Sequence, residues 1–154
     1  MQCVFALYCS LTFLFYTVKN NNMNDLKVYS ALIVDDDEVN LEILADYLEA
    51  AGLSVMTVPD GESALEVLEN VDYNFDVVFL DWMMPGISGL EVLQKVRATD
   101  RIKDLAVIMQ TAKASDRERR EGLEAGADFY LSKPFDEGTF LAALETIIPG
   151  ATFG

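Results

Sequence analysis

From Tyr29 onward, short apolar runs alternate with amphipathic stretches at intervals of about 20 to 25 residues, and few folds accommodate that rhythm. Five runs read as strands: Ala31–Val34, Ser54–Val58, Val77–Leu80, Ala106–Gln110 and Asp128–Leu131. Several are wholly apolar or rich in Val and Ile, which suits parallel strands covered on both faces. Between them, apolar residues recur three and four apart, as helices packed on a sheet require. They are Val39, Ile43 and Tyr47 in the first helix, Ala64, Leu65 and Leu68 in the second, Leu90, Leu93 and Val96 in the third, and Phe140, Leu141, Leu144 and Ile148 in the last. Ser88 with Glu91, and Ser115 with Glu118, have the Ser-x-x-Glu spacing of a capping box, and Gly52 stands where the first helix must stop. Five strands and five helices in strict alternation, joined by right-handed crossovers, predict a doubly wound, three-layer α/β domain. With 154 residues there is room for one such domain, placed over residues 29–150 with 151–154 as a tail.

Charge and composition narrow the chemistry. Eleven Lys and Arg against 26 Asp and Glu leave a net charge of -15, a field that repels polyanions and argues against direct nucleic-acid binding. The absence of histidine excludes His-containing zinc sites and Ser-His-Asp or Cys-His catalysis. The two cysteines, Cys3 and Cys9, lie outside the predicted domain, so no disulfide framework holds the fold.

Residues 1–28 carry an apolar and aromatic run from Cys3 to Val18. It is shorter than the roughly 20 residues of a membrane span and lacks the basic start and small-residue cleavage site of a secretory signal. After the polar break Lys19-Asn20-Asn21-Asn22, Met23 offers a natural translation start. The segment reads as an upstream extension with no part in the chemistry, a membrane anchor being the competing reading. The domain itself is expected to be cytoplasmic, with no membrane insertion.

In doubly wound sheets, function collects at the carboxyl ends of the strands. Asp35, Asp36 and Asp37 follow the first strand, Asp81 follows the third, Thr111 closes the fourth, and Lys133 comes just after the fifth. Carboxylates gathered there would raise one another's pKa values unless a cation joined them, and oxygen ligands in that number suit Mg²⁺. An Asp just after a strand commonly caps the next helix, a role assigned to Asp37. Asp81 resists that explanation, because the segment after it, Trp82-Met83-Met84-Pro85-Gly86, is too apolar for an ordinary solvated loop. Lys133 precedes Pro134, which favours an extended backbone and an X-Pro bond that can be cis.

These residues resemble the receiver domain of two-component response regulators, and are similar to stand-alone chemotaxis-type regulators. The resemblance is carried by Leu32-Ile33-Val34-Asp35-Asp36-Asp37, Val78-Phe79-Leu80-Asp81-Trp82-Met83-Met84-Pro85-Gly86, Gln110-Thr111-Ala112, and Gly126-Ala127-Asp128-Phe129-Tyr130-Leu131-Ser132-Lys133-Pro134-Phe135. It implies a flavodoxin-like strand order, 2-1-3-4-5, the order known for the chemotaxis member of that family.

By the same resemblance, Asp81 is the phosphoacceptor, taking a phosphoryl group from a sensor histidine kinase or phosphotransfer protein. Asp35, Asp36, Asp81 and the backbone carbonyl of Met83 are expected to hold Mg²⁺, with Lys133 and Thr111 contacting the phosphoryl group. Tyr130 is expected to move from exposed to buried as Thr111 is drawn inward, altering the face of the fourth helix, fifth strand and fifth helix for a downstream protein target. Met83 and Lys113 occupy the positions that tune dephosphorylation. Because a Met side chain cannot orient water by hydrogen bonding, the phosphoryl form is expected to outlast that of a Met83→Asn variant.

Two other classes fit parts of the pattern. Asp35-x-Asp37-x-Val39 resembles the nucleophile motif of haloacid dehalogenase-type phosphohydrolases, but that reading leaves Asp81 and its loop without a role. The other is a degenerate receiver acting only as a docking module, which the intact set of acids, Thr111 and Lys133 opposes.

Overall fold

The computed structural model describes residues 27–112 and 115–149. The apolar N-terminal run, Lys113 and the tail lie outside the described residues. Five strands, β1 (Ser30–Val34), β2 (Ser54–Val58), β3 (Val77–Asp81), β4 (Ala106–Thr111) and β5 (Phe129–Ser132), alternate with α1 (Glu38–Ala50), α2 (Gly61–Glu69), α3 (Gly89–Ala98), α4 (Asp116–Glu124) and α5 (Glu137–Ile147). The strands form one parallel sheet in the order β2-β1-β3-β4-β5, as expected.

Alternate residues of each strand feed two cores. Val78, Leu80, Val107 and Met109 pack with Ala64, Leu65 and Leu68 of α2 and Val92, Leu93 and Val96 of α3. Ile33, Val77, Phe79, Ile108 and Leu131 pack with Leu44 and Leu48 of α1 and Phe140, Ala143 and Leu144 of α5. Strand-length apolar runs in β1, β3 and β4 are the consequence, since these central strands are covered on both faces.

The stripe expected for the first helix is corrected. Val39 and Ile43 are exposed, and α1 instead turns Leu44 and Leu48 inward, with Leu41, Ala45 and Tyr47 packed against the same core. The helix carries two apolar rows at compatible spacing, and the row with three leucines and an alanine covers the wider stripe. In α3, Val92 is fully buried and Leu90 only partly so.

The caps hold as read. Asp37 accepts a hydrogen bond from the Val39 N–H, and both capping boxes form. Gly52 follows α1 at φ 88°, a left-handed conformation that other residues adopt at a cost. Beneath the sheet, Arg97 in the last turn of α3 donates to the carbonyls of Gly126, Lys103 and Leu105 and to the Asp128 carboxylate. Asp128 in turn accepts from the Val107 N–H, so one guanidinium ties together the entries to β4 and β5. On the α4 side, the helix comes close at Gly122, where a Cβ would lie 3.2 Å from Trp82 and 3.3 Å from Tyr130.

Candidate functional site

The first and third strands run to an edge where three carboxylates meet. Asp81 is the last residue of β3, where the sequence pattern ends the strand one residue earlier, and pairs with Gln110 of β4. Asp35 follows β1, and its N–H donates to the Val58 carbonyl. Both carboxylates are buried, whereas Asp36 is exposed. One oxygen from each of the three lies within 4.8 Å of the other two.

Lys133 reaches this group from beyond β5. Its ammonium lies 2.5 Å from Asp35 Oδ2 and 2.6 Å from Asp81 Oδ1. The remaining oxygens are also engaged: Asp35 Oδ1 accepts from the Asp37 N–H at 3.0 Å and from the Asn40 side chain at 3.4 Å, and Asp81 Oδ2 accepts from the Met83 N–H at 3.1 Å. The Lys133–Pro134 bond is cis. The Lys133 N–H donates to the Thr111 carbonyl at 2.7 Å, and this hydrogen bond fixes where the side chain departs.

Electrostatics at this edge is a contest between burial and pairing. Burial pushes the Asp81 carboxyl above its ordinary pKa, outweighing the hydrogen bond and charge of Lys133, and the neighbouring Asp35 charge adds to the rise. Burial also opposes the Lys133 charge, but its hydrogen bonds to Asp35 and Asp81 win, and the ammonium is held above its ordinary value. One ammonium against three carboxylates leaves the cluster net negative. Hard oxygen donors from Asp35, Asp36 and Asp81, opening on a cleft walled by Asn40, Met83, Ala112 and Glu118, fit a Mg²⁺ ion.

Thr111 is buried at the end of β4, and Tyr130 of β5 is also buried, already in the inward position expected only of its switched state. Burial raises the Tyr130 pKa, with the Thr111 side chain close enough to pull it back, although the phenol oxygen has no partner of hydrogen-bonding geometry among the described residues. Its ring packs against Trp82, centroids 6.2 Å apart. The Met83 side chain is exposed. Lys113 lies outside the described residues.

Asn40 and Glu62 do not stand out in the sequence. Asn40 sits in the first turn of α1, within reach of Asp35, a placement that the helix start at Glu38 could have indicated. Glu62 accepts from the Ile87 N–H and so anchors the loop after Asp81; nothing in its local sequence marks it. Asp37, the second acid of the motif on which the haloacid dehalogenase reading rests, is occupied in capping α1.

The fold and this edge define an α/β domain that gathers three carboxylates and a lysine at one end of its sheet. The chain belongs to the response regulator receiver domain family, which matches residues 31–145, and is a phosphoacceptor receiver domain. It is 37% identical to the phosphate regulon transcriptional regulatory protein PhoB of Pseudomonas aeruginosa over 117 residues, 76% of this chain and 50% of that protein. It is 39% identical to the transcriptional regulatory protein CpxR of Escherichia coli K12 over 117 residues, 76% of this chain and 48% of that protein. The chain thus spans about half the length of the curated relatives it matches. Among solved structures, the chemotaxis protein CheY4 of Vibrio cholerae superposes with a TM-score of 0.74 at 31% identity, covering 79% of this chain and 99% of that one. No helix among the described residues is long and apolar enough to cross a membrane.

Proposed function

We propose that Asp81 is the phosphoacceptor, within a receiver domain spanning residues 29–150. The observation that carries this reading is the Asp81 carboxylate itself: buried at the end of β3, paired with Lys133 and grouped with Asp35 and Asp36. The donor is a phosphohistidine on a sensor histidine kinase or a phosphotransfer protein. An Asp81 oxygen attacks the phosphorus, the new O–P bond forms as the P–N bond breaks, and the electron pair of that bond stays on the imidazole nitrogen.

Asp35, Asp36 and Asp81, with the Met83 carbonyl, hold Mg²⁺, which supplies positive charge against the phosphoryl oxygens. Lys133 keeps Asp81 oriented and offers a second positive contact to the arriving group. The Thr111 hydroxyl donates to a phosphoryl oxygen, and Tyr130 couples that contact to the face formed by α4, β5 and α5, which a downstream protein reads. Met83 and Lys113 set access of water to the acyl phosphate, whose hydrolysis is the only reaction the domain catalyses besides its own phosphorylation. With a net charge of -15 its output is protein contact, and it works in the cytoplasm.

Incubation with acetyl phosphate and Mg²⁺, followed by intact mass, tests the assignment. One added phosphoryl group on the wild type, absent from Asp81→Asn and abolished by a chelator, is expected. Phosphorylation of folded Asp81→Asn, or none of the wild type, would overturn it.

A further inference from the structure

Among the described residues, both side-chain amide atoms of Gln110 are buried without a hydrogen-bond partner, in a residue with no exposed surface. An unmet buried amide costs free energy, so its survival beside a phosphoacceptor site calls for an account. Strand alternation supplies its surroundings. Gln110 follows Ile108 on the sheet face of the α1 and α5 core, the face that also takes Phe79 and hence Asp81, which is the register partner of Gln110. Its own carbonyl is committed to the Trp82 N–H at 2.8 Å, which fixes the backbone and leaves only the side chain free to answer a change.

Lys133 passes this spot. It leaves the sheet after β5, and its ammonium meets Asp81 at the end of β3 and Asp35 beyond β1, so the side chain crosses the end of β4, where Gln110 is the residue before the terminal Thr111. An ammonium has three N–H donors. Two are used by Asp35 and Asp81, and the third has no partner among the described residues. A buried amide oxygen without a donor therefore belongs to the register partner of the carboxylate that Lys133 holds.

Resting on the phosphoacceptor reading, we propose that Gln110 is a positioning residue for Lys133. While Lys133 bridges Asp35 and Asp81, the Gln110 amide stays unmatched. When a phosphoryl group on Asp81 draws the ammonium off the two carboxylates, Gln110 Oε1 accepts the spare N–H and steadies Lys133 in its new direction. The unmatched amide destabilises the resting state relative to the phosphoryl-bound one, so the site is biased toward being filled.

Wild type and Gln110→Met are compared in thermal melts without metal and in titrations with beryllofluoride plus Mg²⁺, and the Gln110 side-chain NH₂ resonance is followed in the wild type. The expected results are a higher melting temperature for metal-free Gln110→Met, beryllofluoride affinity weakened roughly tenfold or more, as loss of a hydrogen bond to a charged group implies, and a shifted wild-type resonance on saturation. A purely structural glutamine would change the melting temperature and leave the affinity alone. Equal affinities, an unmoved resonance, or a lower melting temperature for the metal-free variant would overturn the inference. A wild type that does not bind beryllofluoride at all would overturn the phosphoacceptor reading, and this inference with it.

Discussion

Asp81 ends β3 and Lys133 follows β5, strands that are not neighbours, yet their side chains meet at 2.6 Å across the end of β4. Removing the ammonium leaves two buried carboxylates facing each other. Lys133→Met is expected to lose about 3 kcal/mol of stability without metal, and Mg²⁺ is expected to restore more stability to the variant than it adds to the wild type. Urea midpoints with and without Mg²⁺ measure both effects.

Asp36 contributes charge to the cluster from an exposed position and supports no packing. Asp36→Asn is expected to unfold within about 0.5 kcal/mol of the wild type while binding Mg²⁺ at least roughly tenfold more weakly. Trp82, the single tryptophan, is buried next to Asp81, and its fluorescence reports the titration.

Tyr130 gives the pH dependence. Its pKa is raised by burial, so the folded state holds the phenolic proton more tightly than the unfolded chain does. The stability this contributes is complete below the unfolded pKa of about 10 and is lost as pH rises through the higher folded value. Tyr130→Phe lacks this loss, and because its parent hydroxyl is buried with no partner of hydrogen-bonding geometry among the described residues it is expected to be about 1 kcal/mol more stable at neutral pH. Denaturation midpoints of both proteins from neutral pH into the alkaline range would show the curves diverging further as pH rises.

Arg97 makes five hydrogen bonds from one guanidinium, to three carbonyls and a carboxylate. A lysine keeps the charge but cannot reproduce the fork. Arg97→Lys is expected to cost about 2 kcal/mol in chemical denaturation, with hydrogen exchange accelerating at Gly126 and Val107 before the rest of the sheet.

The sheet and its acidic edge were legible because each rests on local signals. Val77 to Leu80 announces a doubly covered strand, and Asp81 stands out because an apolar loop follows it. Asp37 could be told from its neighbours because capping is a local hydrogen bond. The inward face of α1 was only partly legible, since Val39 and Ile43 compete with Leu41, Leu44 and Leu48 at the same periodicity, and only packing against Phe140 and Phe79 decides between them, with Tyr47 kept on the inward side. The unmatched state of Gln110 was hidden for a related reason: a polar residue near a strand end looks like an ordinary exposed terminus until the neighbouring strands and helices close around it.

Gly122 bears on how any movement at this edge travels. With only a hydrogen where a side chain would stand, α4 rests almost directly on the rings of Trp82 and Tyr130. Soft contacts absorb small shifts by changing rotamer, but a backbone laid against two flat rings has no slack to give. A displacement of either ring would therefore press on the α4 backbone itself at Gly122 rather than on a side chain that could turn aside.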